Sequence, residues 1–271
     1  MNLTIDTALK DEDLKERKQT IIQAATGPVA APKTIIYLPH ENKVWELVST
    51  TLRPIWDKVV VDEALEAREI IKLPMNFVPQ LSDVSKKLQS TSGFTYHAVG
   101  GLVSKEDFFG ALANKSFLST QYLRHPKNPL YTEEPDIIHE VIGHGSLLAN
   151  TKLARLHQLA GEALVRVHTE QAKQFVADVW WFSGEFGVLR HSKGIKAVGA
   201  GLLSSVGELQ TFDKMAEVRQ MDIKAMGTTK YRIDDFQKVL FAADSVDHMM
   251  ECVGGFFQTV TDEVVAEMLR K

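Results

Sequence analysis

The stretch Glu134-Pro-Asp-Ile-Ile-His139-Glu-Val-Ile-Gly143-His144 decides how this chain is read. It resembles the His-Glu-x-x-His pattern of zinc peptidases, but there the two histidines are four apart and share one helix face. Here they are five apart, and at roughly 100° per residue a regular helix sets them about 140° apart. Both can reach one ion only if the helix distorts or ends between them. Gly143 sits where such a break is needed, because glycine tolerates unusual dihedrals. Two readings stay open on this stretch alone: a metal site, or a helix end carrying two unrelated histidines.

Downstream, Val179-Trp-Trp-Phe-Ser-Gly-Glu185-Phe-Gly-Val-Leu189 closes a helix expected over about 161–189. Trp181, Phe182 and Glu185 share one face of it, and a carboxylate among large aromatics is costly to bury unless it meets a cation or a metal. Pairing with an arginine, or snorkelling outward, satisfies it equally. Two histidines and one carboxylate, with no cysteine nearby, match the facial triad of non-haem iron oxygenases.

The rest of the sequence bounds the class. The chain has 271 residues, 44% of them hydrophobic and 24% charged, which is enough apolar surface for a core and rules out wholesale disorder. A net charge of −4 argues against a polyanion-binding groove. The single cysteine, Cys252, excludes an internal disulfide and a cysteine metal cluster. Neither a membrane span nor a signal-peptide core is visible, so the expectation is a cytoplasmic protein in a reducing compartment.

Residues 1–33, with a charge run at 10–18 and a proline-punctuated linker at 27–32, read as a flexible N-terminal arm, and 34–271 as one domain. Helical periodicity runs from Glu41 to Leu73, with Pro54 a point of kinking or splitting. A short helix capped by Ser82, a strand at 94–99, a helix from Ser104 and a strand at 117–122 follow. Thr132 is placed as a helix cap with Pro135 in the first turn. Gly199, Gly201 and Gly207 suggest a turn-rich stretch with short strands, and helices are expected from about Asp234 and Thr261. The fold class is mainly α with small β elements in a single catalytic domain.

Several segments together resemble the pterin-dependent aromatic amino acid hydroxylases: 135–144, Trp181-Phe-Ser-Gly-Glu-Phe-Gly187, Gly199-Ala-Gly-Leu-Leu-Ser-Ser205, Thr120-Gln-Tyr-Leu-Arg-His125 and Tyr131-Thr-Glu-Glu-Pro135. The resemblance spans about 36–269, the family's catalytic domain. It implies that His139, His144 and Glu185 hold Fe(II), while a tetrahydropterin supplies two electrons and becomes a hydroxypterin as dioxygen hydroxylates an aromatic ring. It gives Arg124 the substrate carboxylate, whose geometry suits a planar guanidinium fork. Thr132, Trp181 and Ser204 fall beside the amino acid. Phe108, Gly101, Val103, Glu140 and Ala177 fall on the pterin side, and Asp136 becomes an acceptor orienting a ligand histidine.

The chain departs from the family pattern at Gly145-Ser146 (Val-Pro in many relatives), Trp180 (usually tyrosine) and Leu118 (a histidine in animal members). The expected reaction is L-phenylalanine to L-tyrosine, with dioxygen as co-substrate and neither nucleic acid nor membrane as partner. A monomer or weak dimer is expected, since no regulatory domain or long C-terminal helix is present. Alternatives are tryptophan 5-hydroxylation, phenylalanine 3-hydroxylation, a zinc hydrolase and a non-catalytic pterin-binding module.

Overall fold

The computed structural model describes residues 10–25, 30–132 and 134–270. The charge run opens α1 (Asp11–Ala24), whose acidic first turn faces the positive end of its own dipole. This helix docks on the rest of the chain: Ile21 is buried, Arg17 pairs with Glu41, and Lys18 pairs with Glu134. Part of the linker at 27–32 lies outside the described residues.

The long apolar stripe builds α2 (Pro39–Val59) and α3 (Asp62–Ile71). The helix runs through Pro54 without ending. Its inward residues on both sides, Leu52 and Trp56, are almost fully buried, and the Trp56 indole N–H donates to the Leu203 carbonyl. That packing outweighs the roughly 3 kcal/mol an interior proline costs. The break falls instead at Val60–Val61, where the backbone is extended and the Val61 N–H bonds the Ala197 carbonyl.

α4 (Leu81–Thr91) is preceded by Gln80 as its N-cap, so Ser82 lies inside the helix and does not cap it. β1 (Thr95–Ala98) pairs in parallel with β2 (Ser116–Ser119), and α5 (Lys105–Ala113) forms the crossover between them, capped by Ser104. The segment after β2 leads to a π-helix, His139–His144, continued by α6 (Gly145–Leu148).

The single helix expected over 161–189 is two: α7 (Thr151–Arg166) and α8 (Glu170–Trp180). Between them the Asp262 carboxylate accepts from the His168 and Thr169 N–H groups, a long-range bond that stops one helix and starts the next. α8 passes into a second π-segment, Trp181–Glu185.

The hairpin β3 (Val188–His191) and β4 (Gly194–Ala197) joins β5 (Glu217–Gln220) and β6 (Val239–Ala243) in a four-stranded sheet ordered β4-β3-β6-β5. The glycine-marked stretch after the hairpin is helical, beginning with α9 (Ala200–Ser204). No helix starts near Asp234. That segment is a loop leading into β6, whose apolar run Val-Leu-Phe-Ala-Ala is nearly all buried and cannot be told from a helix by periodicity. A last helix covers Asp262–Arg270. One continuous core joins α2, α7, α8 and the sheet, and among the described residues no helix is long and apolar enough to cross a membrane.

Gly143 does not break its helix. A Cβ there would lie 2.6 Å from the Ala200 carbonyl oxygen, so the glycine permits α9 to press against the π-helix. Gly143→Ala is therefore expected to lower stability by about 1–3 kcal/mol, the usual cost of overpacking. Thermal and urea melts of the purified variant measure this, and an unchanged midpoint would show that α9 can retreat freely.

Candidate metal and substrate site

A π-helix closes i→i+5 hydrogen bonds, which stack residues five apart on one face. The five-residue histidine spacing, incompatible with a regular helix, is thereby accommodated: His139 Nε2 and His144 Nε2 lie 3.1 Å apart. Glu185, the last residue of the second π-segment, brings its carboxylate to 3.0 Å from His144 Nε2 and 3.8 Å from His139 Nε2. No other group of three such residues converges in this way among the described residues.

Burial makes both imidazoles poor bases. The His139 pKa falls to about 4, an effect of desolvation that Glu185 partly opposes, and the His144 pKa falls to about 3 by desolvation alone. Burial also raises the Glu185 carboxyl above its ordinary range, against the pull of His139. Neutral imidazoles are the ligating form. Two donors about 2.1 Å from one ion at right angles are separated by about 3 Å, which is the spacing found here. The donor set and its spacing thus fit a divalent iron ion.

Ser204 in α9 fixes the first ligand. Its hydroxyl donates to the Ala200 carbonyl at 2.9 Å and so accepts from His139 Nδ1–H, also at 2.9 Å. Asp136, expected to orient a ligand ring, instead holds the backbone: it accepts from the His139 N–H at 3.2 Å and caps the ligand helix. Thr132 is not that cap, and its hydroxyl donates to the Glu134 carbonyl.

The main partner of Asp136 is Arg124. Nε and Nη2 bond the two carboxylate oxygens at 2.9 and 2.8 Å, and the Arg124 N–H adds a third contact at 2.8 Å. Both side chains are buried. Burial alone would push the Asp136 carboxyl up, but the Arg124 charge and these N–H donors outweigh it and hold the pKa low.

A cavity of about 400 Å³ opens beside the triad, lined by Arg124, Thr132, His139, Trp181, Glu185 and Ser204 among others. The Trp181 ring stacks on Tyr231 (4.6 Å, 13°) and meets Phe186 at 4.8 Å, while its indole N–H donates to Gln237 Oε1. The Gln237 N–H in turn donates to the buried carboxylate of Glu208. Of these supporting residues, Glu208 carried a readable signal, an acid within the apolar run 200–212. Gln237, distant in sequence, carried none.

Of the expected pterin-side residues, Phe108 lies on the His144 side of the centre. Phe108 meets Phe117 and Trp180 edge-on at 5.4 and 5.3 Å, and those two rings enclose His144, Phe117 at 4.5 Å and Trp180 stacked at 6.1 Å. The Glu140 carboxylate accepts from the Thr120 N–H, and burial raises its pKa well above the ordinary range. Gly101 and Val103 lie between β1 and α5, and Ala177 lies in α8.

A helical shell around two histidines and a glutamate beside an amino-acid-sized cavity defines a non-haem iron oxygenase of the facial-triad class. The particular family follows from comparison with known proteins: a profile describing the biopterin-dependent aromatic amino acid hydroxylases matches residues 5–267. The chain is 45% identical over 233 residues to phenylalanine 3-hydroxylase from Streptomyces coeruleorubidus, covering 86% of this chain and 83% of that protein. It is 35% identical over 229 residues to human phenylalanine-4-hydroxylase, covering 83% of this chain and 50% of that protein, so it spans about half the human relative.

Among solved structures, Chromobacterium violaceum phenylalanine hydroxylase bound to cobalt superimposes with a TM-score of 0.85 at 25% identity, covering 97% of this chain and 94% of that one. The same enzyme with iron(III) and 7,8-dihydrobiopterin gives 0.81 at 26% identity, covering 89% and 90%. The chain belongs to the biopterin-dependent aromatic amino acid hydroxylases, and iron and a reduced pterin are its cofactors.

Two outcomes are expected here. Glu185→Ala should abolish iron retention and turnover together while leaving the circular dichroism spectrum of the fold intact, because apolar packing and not the ion builds the core. Full activity of that variant with Fe(II) supplied would sink the ligand assignment. The second concerns Glu208, whose pKa burial raises to about 7 from an ordinary 4.5. The folded state therefore binds more protons than the unfolded state between these values, and stability falls as pH rises from about 4.5 to 7. Glu208→Gln should flatten that part of the stability profile, as read by urea melts at stepped pH, and an unflattened profile would assign the slope to other groups.

Proposed function

We propose that this chain hydroxylates the ring of free L-phenylalanine. The observation that carries the reading is the cavity beside the triad, bounded by the Arg124 guanidinium and the Trp181 indole. Arg124 keeps Nη1 outside its contacts with Asp136, available for the substrate carboxylate. Trp181 is immobilised by Gln237 and Tyr231, and a wall of that bulk leaves room for a single ring more readily than for an indole. The similarity to phenylalanine hydroxylases of several organisms supports the same substrate.

In this reading His139, His144 and Glu185 hold the iron, and Thr132 and Ser204 border the amino acid. Phe108, Gly101, Val103, Glu140 and Ala177 serve the pterin. Iron and the tetrahydropterin together supply oxygen activation and the two electrons that reduce dioxygen. The protein's own part is positional. Arg124 fixes the amino acid by its carboxylate, Trp181 orients the ring, and Ser204 keeps the His139 ring from turning. Phe117 and Trp180 keep water from the His144 side. We read the protein as a cytoplasmic monomer or weak dimer acting on small metabolites, in keeping with its net charge and single cysteine.

The ring position admits a second reading. Para attack gives tyrosine, whereas the 45% identity to a phenylalanine 3-hydroxylase favours meta attack. Discrimination by pocket volume is modest, about 1–3 kcal/mol, so some tryptophan turnover is expected as a side reaction. Phenylalanine, tyrosine and tryptophan offered in competition with Fe(II) and tetrahydropterin should leave phenylalanine with the highest kcat/KM. Chromatography of the products then separates para- from meta-tyrosine, and predominant 5-hydroxytryptophan would overturn the substrate.

A further inference from the structure

A second cavity, of about 220 Å³, shares no lining residue with the first. Ile142 of the ligand-bearing π-helix and Ser146, two residues past His144, form one wall, and α2 with the end of α3 forms the other. Two serine hydroxyls, Ser49 and Ser146, line it. Both residues are more than nine-tenths buried, and neither hydroxyl has a hydrogen-bond partner.

A serine inside a helix commonly satisfies its hydroxyl on the carbonyl four residues back. The neighbouring Thr50 and Thr51 do this on Glu46 and Leu47, both at 2.6 Å, and Ser49 does not. Buried hydroxyls left unpartnered are destabilising, so two of them on one cavity mark a place for a ligand's polar group.

The rest of the lining is largely aromatic and apolar, with Trp45 and Trp56 as deeply buried as the serines. The Trp45 and Trp56 indole N–H groups already bond the Pro74 and Leu203 carbonyls. The mouth carries Arg53, Arg68 and Lys72; Arg68 is paired with Asp57 and Glu69 and Arg53 with Glu69, which leaves one positive charge in excess. Arg53 is about half exposed there and only loosely paired with Glu69, at 3.4 Å. The cavity thus offers hydroxyl partners, aromatic walls and cations.

We propose that this cavity binds a small hydroxyaryl carboxylate, with its phenol on Ser49 and Ser146 and its carboxylate at Arg53 and Lys72. On the phenylalanine reading above, the enzyme's own product has this chemistry, and its ammonium group would share Glu69 with Arg53 and Arg68. A product bound here presses on Ile142, on the helix that carries both histidine ligands, which makes the cavity a feedback site for the iron centre.

The test uses iron-loaded protein, anaerobic and without pterin, first saturated with L-phenylalanine and then titrated with L-tyrosine and, separately, m-tyrosine. The phenylalanine isotherm reports on the substrate reading independently. One further equivalent of hydroxylated amino acid is expected to bind by calorimetry, shifting the indole N–H resonances of Trp45 and Trp56 and not that of Trp181. Ser49→Leu, which fills the cavity, should weaken this second binding by about tenfold or more. Arg53→Gln, a surface change that leaves folding unaffected, should weaken it about threefold. Binding that only displaces phenylalanine, or a second equivalent that leaves the Trp45 and Trp56 signals unmoved, would overturn the proposal and leave the cavity to water.

Discussion

A carboxylate removed entirely from water is tolerated only when its charge is met in full, and Asp136 meets that condition with four N–H donors. Three belong to Arg124 and the fourth is the backbone of His139. One buried side chain therefore both orients the guanidinium at the edge of the substrate cavity and starts the helix that carries two iron ligands. The Arg124 guanidinium and the metal centre are fixed to each other by a shared partner, so their separation does not depend on loop conformation. Removing either member of such a pair leaves the other charged and unpaired, at a cost of about 3–5 kcal/mol. That expense secures preorganisation, because the site need not assemble when the amino acid arrives.

The second constraint is the widened helical turn. π-segments are uncommon and persist where their surroundings hold them. Here the holding element is the short run Gly199–Ser204. A Cβ on Gly199 would lie 2.1 Å from the Glu185 carbonyl, and one on Gly143 would lie 2.6 Å from the Ala200 carbonyl. The Ser204 hydroxyl then closes on His139 Nδ1. Five residues of α9 and the glycine before it thus touch both ligand-bearing π-segments and one ligand ring. The glycines serve close approach between backbones, and the serine serves ring orientation.

The sequence pattern made some of this legible and concealed the rest for identifiable reasons. The five-residue spacing of His139 and His144 allowed one shared ion only on a distorted helix, and the aromatic setting of Glu185 pointed to a cation as one of several ways to satisfy it, both from local geometry. The mainly helical class with small strands was readable in the same way. The division between α7 and α8 was not, because it depends on Asp262 reaching back about ninety residues to the His168 and Thr169 N–H groups. Apolar periodicity runs straight through that junction. Residues 239–243 are so uniformly apolar that neither a period of two nor one of 3.6 stands out. Ser204, and not Asp136, meets the ring nitrogen of His139 for a related reason: that contact depends on the docking of α9, a tertiary fact.

The surroundings of the three ligands are unequal, and the inequality sets the direction of approach. His144 is enclosed between Phe117 and the stacked ring of Trp180, its side chain only 2% exposed, and it does not line the substrate cavity. His139 is 16% exposed and, with Glu185, does line it. Desolvation lowers both pKa values, and only at His139 does the Glu185 charge push back. The cavity that Arg124 lines therefore reaches the centre across the edge between His139 and Glu185. Trp180 thickens the closed side. A change there would act on how dry the His144 ligand is kept, whereas a change at Trp181 would act on the shape of the space that the substrate ring occupies.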